Sequence, residues 1–223
     1  MKLSIIVPVY NEVRTLRELI EKVNKVDINK EIILVDDGST DGSKEILKEY
    51  ENEHKVIYHK KNKGKGSAIR TGLKEVTGDF VTIQDADLEL DPNDFLKLIK
   101  VIEEEKAEIV YGARDFKGTN ALKLNTLANS FLTFMTNLLY SSNIKDEATC
   151  YKVFKTDIIK NLNLKCKGFE FCPEVTAKVL KQGYKIYDVT ISYFPRDYAE
   201  DKKIRWKDGF IALWTLLKYR FKD

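Results

Sequence analysis

The sequence predicts an α/β domain with a mostly parallel central sheet flanked by helices, and three observations carry that prediction. Short apolar, β-branched runs alternate with segments of helical periodicity at the spacing of strand–helix–strand units. The first two runs, residues 3–9 and 31–35, are apolar throughout, as strands buried on both faces of a parallel sheet must be. Four polar stretches, residues 10–12, 36–42, 62–67 and 85–89, follow strands. They therefore converge on the carboxyl edge of the sheet, where such folds hold their ligands.

The elements follow in order. Residues 3–9 form a strand that Tyr10-Asn11-Glu12 breaks, and Leu16, Leu19, Ile20 and Val23 give the next segment a helical stripe. Residues 31–35 form a second strand, ending at Asp36-Asp37-Gly38-Ser39-Thr40-Asp41-Gly42. A helix with Ile46, Leu47 and Tyr50 and a short strand at 56–59 come next. The basic stretch Asn62-Lys63-Gly64-Lys65-Gly66-Ser67 leads into a helix through Ala68, Ile69 and Leu73. A Gly78-Asp79 turn precedes a strand at 80–83. Pro92 starts a helix with Phe95, Leu96, Ile99 and Ile102 expected inward, and 108–111 is a further strand. Beyond residue 116 the texture changes. Residues 121–140 read as a helix rich in Leu and Phe, 146–154 as a return into the sheet and 169–180 as another helix. Residues 184–193 read as a late strand, 196–208 as a charged loop and 209–221 as a final aromatic-rich helix. No internal repeat or linker divides the chain.

Composition narrows the function. With 223 residues, 43% of them hydrophobic, the chain can bury a large core. Lys and Arg number 38 against 35 Asp and Glu, a net +3 too balanced to imply a nucleic-acid partner. The charge is unevenly spread: Lys60, Lys61, Lys63, Lys65, Arg70 and Lys74 crowd one stretch, and the tail from Lys202 is basic. Basic patches beside an acidic one suit a phosphorylated ligand. Cys150, Cys166 and Cys172 show neither disulfide-framework nor zinc spacing, and His54 and His59 lie far from them, so a reduced, cytoplasmic setting is expected. The apolar N-terminal run is too short for a signal peptide, and no stretch of 18 apolar residues exists to span a membrane.

The loops suggest the chemistry. Asp85, Asp87, Glu89 and Asp91 place four carboxylates within seven positions. If the strand continues past the sheet edge, Asp85, Asp87 and Glu89 alternate onto one side and repel one another unless a cation, such as a hard divalent ion, lies between them. Alone, the stretch reads better as a solvated acidic turn, and the surrounding chain has to decide. Asp36-Asp37-Gly38 can accept hydrogen bonds from a ribose hydroxyl or base N–H, or can lead into a helix capped by Ser39 or Thr40; the two are compatible. Asn62-Lys63-Gly64-Lys65-Gly66 has the composition of a phosphate loop without the Walker spacing, and the first strand lacks the G-x-G-x-x-G of a dehydrogenase. A glycine-bearing, basic helix start attracts a diphosphate, although a plain solvated loop fits the same residues. The two histidines read as surface residues, and no Ser-His-Asp or Cys-His set emerges. The combination points to metal-assisted chemistry on a nucleoside diphosphate.

In sum these motifs resemble family 2 glycosyltransferases of the polyprenyl-phosphate (dolichyl-phosphate mannose or glucose synthase) type. The residues that carry the resemblance are Val7-Pro8-Val9-Tyr10-Asn11-Glu12, Val35 through Gly42, Asn62 through Gly66 with Arg70 and Gly72, and Asp85-Ala86-Asp87-Leu88. It continues through Gly112-Ala113-Arg114, Tyr151-Lys152-Val153-Phe154, Gly168-Phe169-Glu170-Phe171, and Pro195-Arg196 to Gly209. The resemblance implies a GT-A fold, a single Rossmann-like domain over 1–223. Residues 1–115 would form its nucleotide-sugar half and 116–223 its acceptor half. It implies that Pro8, Tyr10, Glu12 and Asp37 line the nucleotide pocket with Lys65 near them. Asp85 and Asp87 would be the D-x-D pair holding Mg²⁺ or Mn²⁺ against the donor diphosphate. Glu89 stands where relatives often carry glutamine and is expected as a further metal ligand. Arg114 would meet the acceptor phosphate, and Arg196 and Lys203 would close over the phosphates.

A phosphate acceptor suits this site. A phosphomonoester already carries about −1.5 to −2 charge near neutral pH, so it can attack the sugar C1 without the general base an alcohol needs. The expected activity is inverting transfer of a hexose from a nucleotide sugar (GDP-mannose or UDP-glucose type) to polyprenyl or dolichyl phosphate. It would take place peripherally on the cytoplasmic face of the membrane, with residues 210–221 as an interfacial helix and 121–140 as a second candidate. A separate membrane protein is a conceivable partner. The rival readings are a transferase acting on a glycan hydroxyl, with Asp146 or Glu147 as base, and a non-catalytic sugar-nucleotide-binding adaptor. A nucleotidyltransferase is weaker, because its glycine-rich, arginine-bearing N-terminal loop is absent.

Overall fold

The computed structural model describes residues 1–117, 119, 123–196 and 206–222, the side chains of 123–125 and 206 excepted. Strand β1 (Leu3–Val9) is buried at every position but Pro8, which makes it the natural centre of a two-faced sheet. It pairs in parallel with β2 (Lys30–Asp36) on one side and β4 (Phe80–Ile83) on the other. Strand β3 (Lys55–Tyr58) extends the sheet beyond β2. Strands β5 (Ile109–Arg114), β6 (Lys152–Lys155) and β7 (Tyr187–Ile191) complete a seven-stranded sheet of order β3-β2-β1-β4-β6-β5-β7.

Only β6 runs antiparallel to its neighbours, β4 and β5. The residues that precede β6, rather than those that follow it, therefore lie at the carboxyl edge of the sheet. This is how Asp146 through Tyr151 reach the loops after β1, β2 and β4. The strand expected over 146–154 is consequently shorter, at Lys152–Lys155, with loop before it.

The helices are α1 (Leu16–Lys25), α2 (Ser43–Glu49), α3 (Lys65–Gly72), α4 (Phe95–Glu105), α5 (Lys123–Tyr140), α6 (Thr156–Asn161), α7 (Phe171–Lys181) and α8 (Trp206–Phe221). The stripe of α1 is fully buried, as its periodicity predicts. In α4 the inward set is Phe95, Leu98 and Ile102, whereas Leu96 is 47% exposed. Ile99 packs half-buried against the core as expected, and only Leu96, one position and about 100° round from Phe95, turns outward. The six residues of α6 were too few to show a period. One apolar core spans both faces of the sheet, and a smaller cluster of Ala177, Leu216 and Tyr219 ties α5, α7 and α8 together.

Candidate active site

The polar stretches named from the sequence do meet at the carboxyl edge. β1 gives way to Tyr10, Asn11 and Glu12, with Pro8 and Tyr10 half-buried there. β4 stops at Ile83, and the acidic stretch is a turn, not a continued strand. Leu88 takes a left-handed conformation (φ 61°) inside it. The expected alternation of Asp85, Asp87 and Glu89 is therefore wrong in its geometry, because a left-handed residue breaks the pleat. The three carboxyl groups nonetheless remain close enough to interact electrostatically.

Each carboxylate has a cationic or amide partner. Lys65, at the start of α3, reaches both oxygens of Asp85 at 2.6 and 2.8 Å. Desolvation works against the Asp85 charge, but Lys65 outweighs it and holds the carboxyl below its usual range. Arg196, just past β7, bonds both oxygens of Glu12 at 3.1 and 3.2 Å and lies 3.3 Å from Asp87. The Arg196 and Phe194 amides donate to Glu89, the latter to its carbonyl, and Tyr193 donates its hydroxyl to the Glu89 carboxylate. Glu12, Asp87 and Glu89 are thereby tied to the 193–196 segment. Desolvation pushes the Asp87 carboxyl up to about 7, with Asp85 and Glu89 adding to the rise. A second cation near this group is thus electrostatically favoured.

Arg114, at the end of β5, is held in a fork by Asp146 at 2.7 and 3.0 Å, with Asn129 donating to the same carboxylate. Its guanidinium lies over the rings of Phe116 and Tyr193, and its field reaches Asp85. Glu147, beside Asp146, is fully buried, and burial pushes the group up to about 7, with Thr176 and Thr136 beside it opposing the rise. Lys203 lies outside the described residues.

The acidic loop after β2 is tied to the basic loop. Asp37 is 2% exposed, and its carboxylate accepts from the amides of Lys63 and Gly64 and from Nδ1 of His59. It holds the basic loop in place. The helix start after it is organised by Asp41, which accepts from the Ser43 amide, rather than by Ser39 or Thr40. Gly38 (φ +76°) is required because a Cβ there would lie 2.6 Å from the Lys61 backbone. His59, expected at the surface, is only 9% exposed and bridges Asp37 to Thr71. No local pattern could have shown this, since the partner lies 22 residues away. A concavity of about 720 Å³ lined by Glu31, His54 and Glu75 sits at the opposite, amino-terminal edge of the sheet and holds none of these groups.

A seven-stranded sheet with one reversed strand, carrying acidic and basic loops at its carboxyl edge, defines the GT-A class of glycosyltransferase folds. The solved glucosyl-3-phosphoglycerate synthase from Mycobacterium tuberculosis, in complex with Mg²⁺ and uridine diphosphate, superposes with a TM-score of 0.75. It does so at 16% identity, over 100% of this chain and 80% of that one. The chain belongs to glycosyl transferase family 2, whose profile it matches over residues 4–162. It is 30% identical over 212 residues to a dolichol-phosphate mannosyltransferase of Pyrococcus furiosus, covering 91% of this chain and 59% of the relative. It is also 30% identical over 238 residues to a UDP-N-acetylglucosamine–dolichyl-phosphate N-acetylglucosaminyltransferase of Methanococcus voltae, covering 96% of this chain and 94% of the relative. The chain thus spans a little over half of the first relative and nearly all of the second.

Proposed function

We propose that this chain transfers a hexose from a nucleoside-diphosphate sugar to a polyprenyl phosphate at a membrane surface. The observation that carries this reading over transfer to a glycan hydroxyl is the state of the two carboxylates nearest to serving as a base. Asp146 is committed to Arg114 and Asn129, and Glu147 is sealed in the interior. An alcohol acceptor needs a base within reach of its proton; a phosphate does not. Both relatives named above carry a dolichol-type phosphate in their names, which supports the same acceptor class.

In this reading residues 1–115 bind the donor, and 116–223 bind the acceptor together with Arg114 at the boundary. Asp85 and Asp87 hold Mg²⁺ or Mn²⁺, with the Glu89 carboxylate close enough to add to their field. Their oxygen donors and the crowding of charge around Asp87 fit a hard cation. Among the described residues no three carboxylate, histidine or cysteine side chains close around one point. Mg²⁺ commonly takes only one or two carboxylates together with substrate phosphates, so two aspartates suffice. When bound, the ion would neutralise the departing diphosphate. Pro8, Tyr10, Glu12 and Asp37 form or support the nucleotide side. Lys65, Arg196 and Lys203 compensate phosphate charge, and Arg114, pre-oriented by Asp146, receives the acceptor phosphate. A phosphate oxygen forms a bond to the sugar C1 on the face opposite the leaving group. The C1–O bond breaks with its electron pair going to the nucleoside diphosphate, and the anomeric centre inverts.

The lipid acceptor asks for an interface. On α5, Leu127, Phe131, Phe134 and Leu138 are 53 to 67% exposed and fall on one helical stripe. On the adjoining α8, Ile211, Trp214 and Phe221 are exposed, with Lys218 and Arg220 beside them. That aromatic and basic surface supports peripheral seating on an anionic bilayer. Among the described residues no helix is long and apolar enough to cross one.

The donor half of the proposal is tested by thermal shift with UDP- and GDP-sugars, each with and without Mn²⁺. One nucleotide series should stabilise the chain in a Mn²⁺-dependent way, and Asp87→Ala should lose the Mn²⁺ dependence. No shift with any donor contradicts the reading.

A further inference from the structure

Residues 165–168 form a backbone bridge between two parts of the molecule that the proposed chemistry leaves unconnected. All four of their amides are taken by two carboxylates one helical turn apart at the start of α7. Glu174 accepts from Lys165 and Cys166 at 2.8 and 2.6 Å, and Glu170 from Lys167 and Gly168 at 2.7 and 3.0 Å. The carbonyls of the same segment face the other way, onto the basic loop. Lys167 accepts from the Ser67 amide and Gly168 from the Gly66 amide, both at 3.1 Å. The loop is pressed so close that a Cβ at Gly64 would lie 2.3 Å from the Lys167 carbonyl oxygen. Lys65, between these glycines, is the residue that pairs with Asp85.

On its other side Glu174 reaches α8. The oxygen that accepts from Lys165 also accepts from the Tyr219 hydroxyl at 2.9 Å and from Lys178 at 2.6 Å. Glu174 is 1% exposed and Tyr219 4% exposed, so water cannot replace either bond. A path of hydrogen bonds joined by covalent backbone therefore runs from α8 through Tyr219, Glu174 and residues 165–168 to the Gly66 and Ser67 amides, next to Lys65. The solvent-facing side of α8 carries the exposed Ile211 and Trp214.

We propose that Glu174 is a positioning residue through which the seating of α8 on a lipid surface sets the geometry of the Lys65 loop, so that bilayer contact and nucleotide binding reinforce each other. This inference rests on the membrane and nucleotide reading given above. The coupling is reciprocal, because a bilayer that tightens nucleotide binding must itself be bound more tightly when nucleotide is present.

The test uses the full chain, with UDP and GDP titrated calorimetrically in Mn²⁺ buffer, in the presence and absence of vesicles of phosphatidylcholine and phosphatidylglycerol. Vesicles should tighten the wild-type dissociation constant about fivefold or more. Tyr219→Phe, which keeps the packed ring, should bind vesicles and nucleotide separately yet lose most of that enhancement. Glu174→Gln should weaken nucleotide binding about tenfold even without vesicles, the loss expected from a charged acceptor of several bonds. If Glu174→Gln does not fold, the Tyr219→Phe comparison decides. Equal enhancement in wild type and Tyr219→Phe overturns the coupling, as does a wild type that binds both ligands with no mutual effect. A wild type that binds no nucleotide, or no vesicles, overturns the underlying reading and the coupling with it.

Discussion

Asp85 and Asp87 show what single residues can and cannot reveal. Their spacing, beside a strand end and opposite a basic loop, was legible because it is local. The geometry was not, because the left-handed Leu88 replaces the extended backbone that alternation assumes. The burial of His59 was hidden for a related reason. A histidine's neighbours in sequence say nothing of an aspartate brought in from another strand end. Glu147 gave no warning either, since its burial depends on groups distant in sequence, such as Thr176 on α7. Its folded carboxyl titrates near 7 against about 4.3 in an unfolded chain. The folded state thus keeps this proton through pH 5 to 6, where the unfolded chain releases it. The stability this gives is present at low pH and is lost as pH rises through 7. Glu147→Gln, which cannot ionise, should therefore be about 2 kcal/mol more stabilising at pH 8 than at pH 5. Urea unfolding at the two pH values measures this, and an equal effect at both contradicts it.

At the scale of elements, the strands were legible because continuous apolar runs have few alternatives to a two-sided sheet. β1 and β4 appear at the residues expected. What the sequence hid was direction and phase. Nothing in Lys152–Lys155 marks it as the reversed strand, and the choice between Leu96 and Leu98 as the inward residue of α4 was equally open. The start of α3 depends on tertiary contact in the same way. Gly64 has φ +95° and lies against the Lys167 carbonyl, so it needs a glycine for conformation and for space. Gly64→Ala should cost about 2 kcal/mol or more and weaken nucleotide binding. An unchanged melting temperature would show that the loop tolerates both demands.

The whole molecule places the candidate chemistry at one edge of the sheet and an apolar helical surface on α5 and α8. The convergence of the loops followed from the parallel sheet and was legible. The joining of α7 and α8 to the Lys65 loop through 165–168 was not, since Glu170, Glu174 and Tyr219 meet backbone groups that no side-chain pattern encodes. The proposal as a whole stands on the acceptor being a lipid phosphate. The most direct measurement supplies labelled UDP- or GDP-sugar and Mn²⁺ with polyprenyl phosphate in vesicles, the unphosphorylated polyprenol, or an oligosaccharide. Label should enter the lipid fraction only with polyprenyl phosphate, and Asp87→Ala should abolish it. Transfer to the oligosaccharide, with none to polyprenyl phosphate, would contradict the proposal.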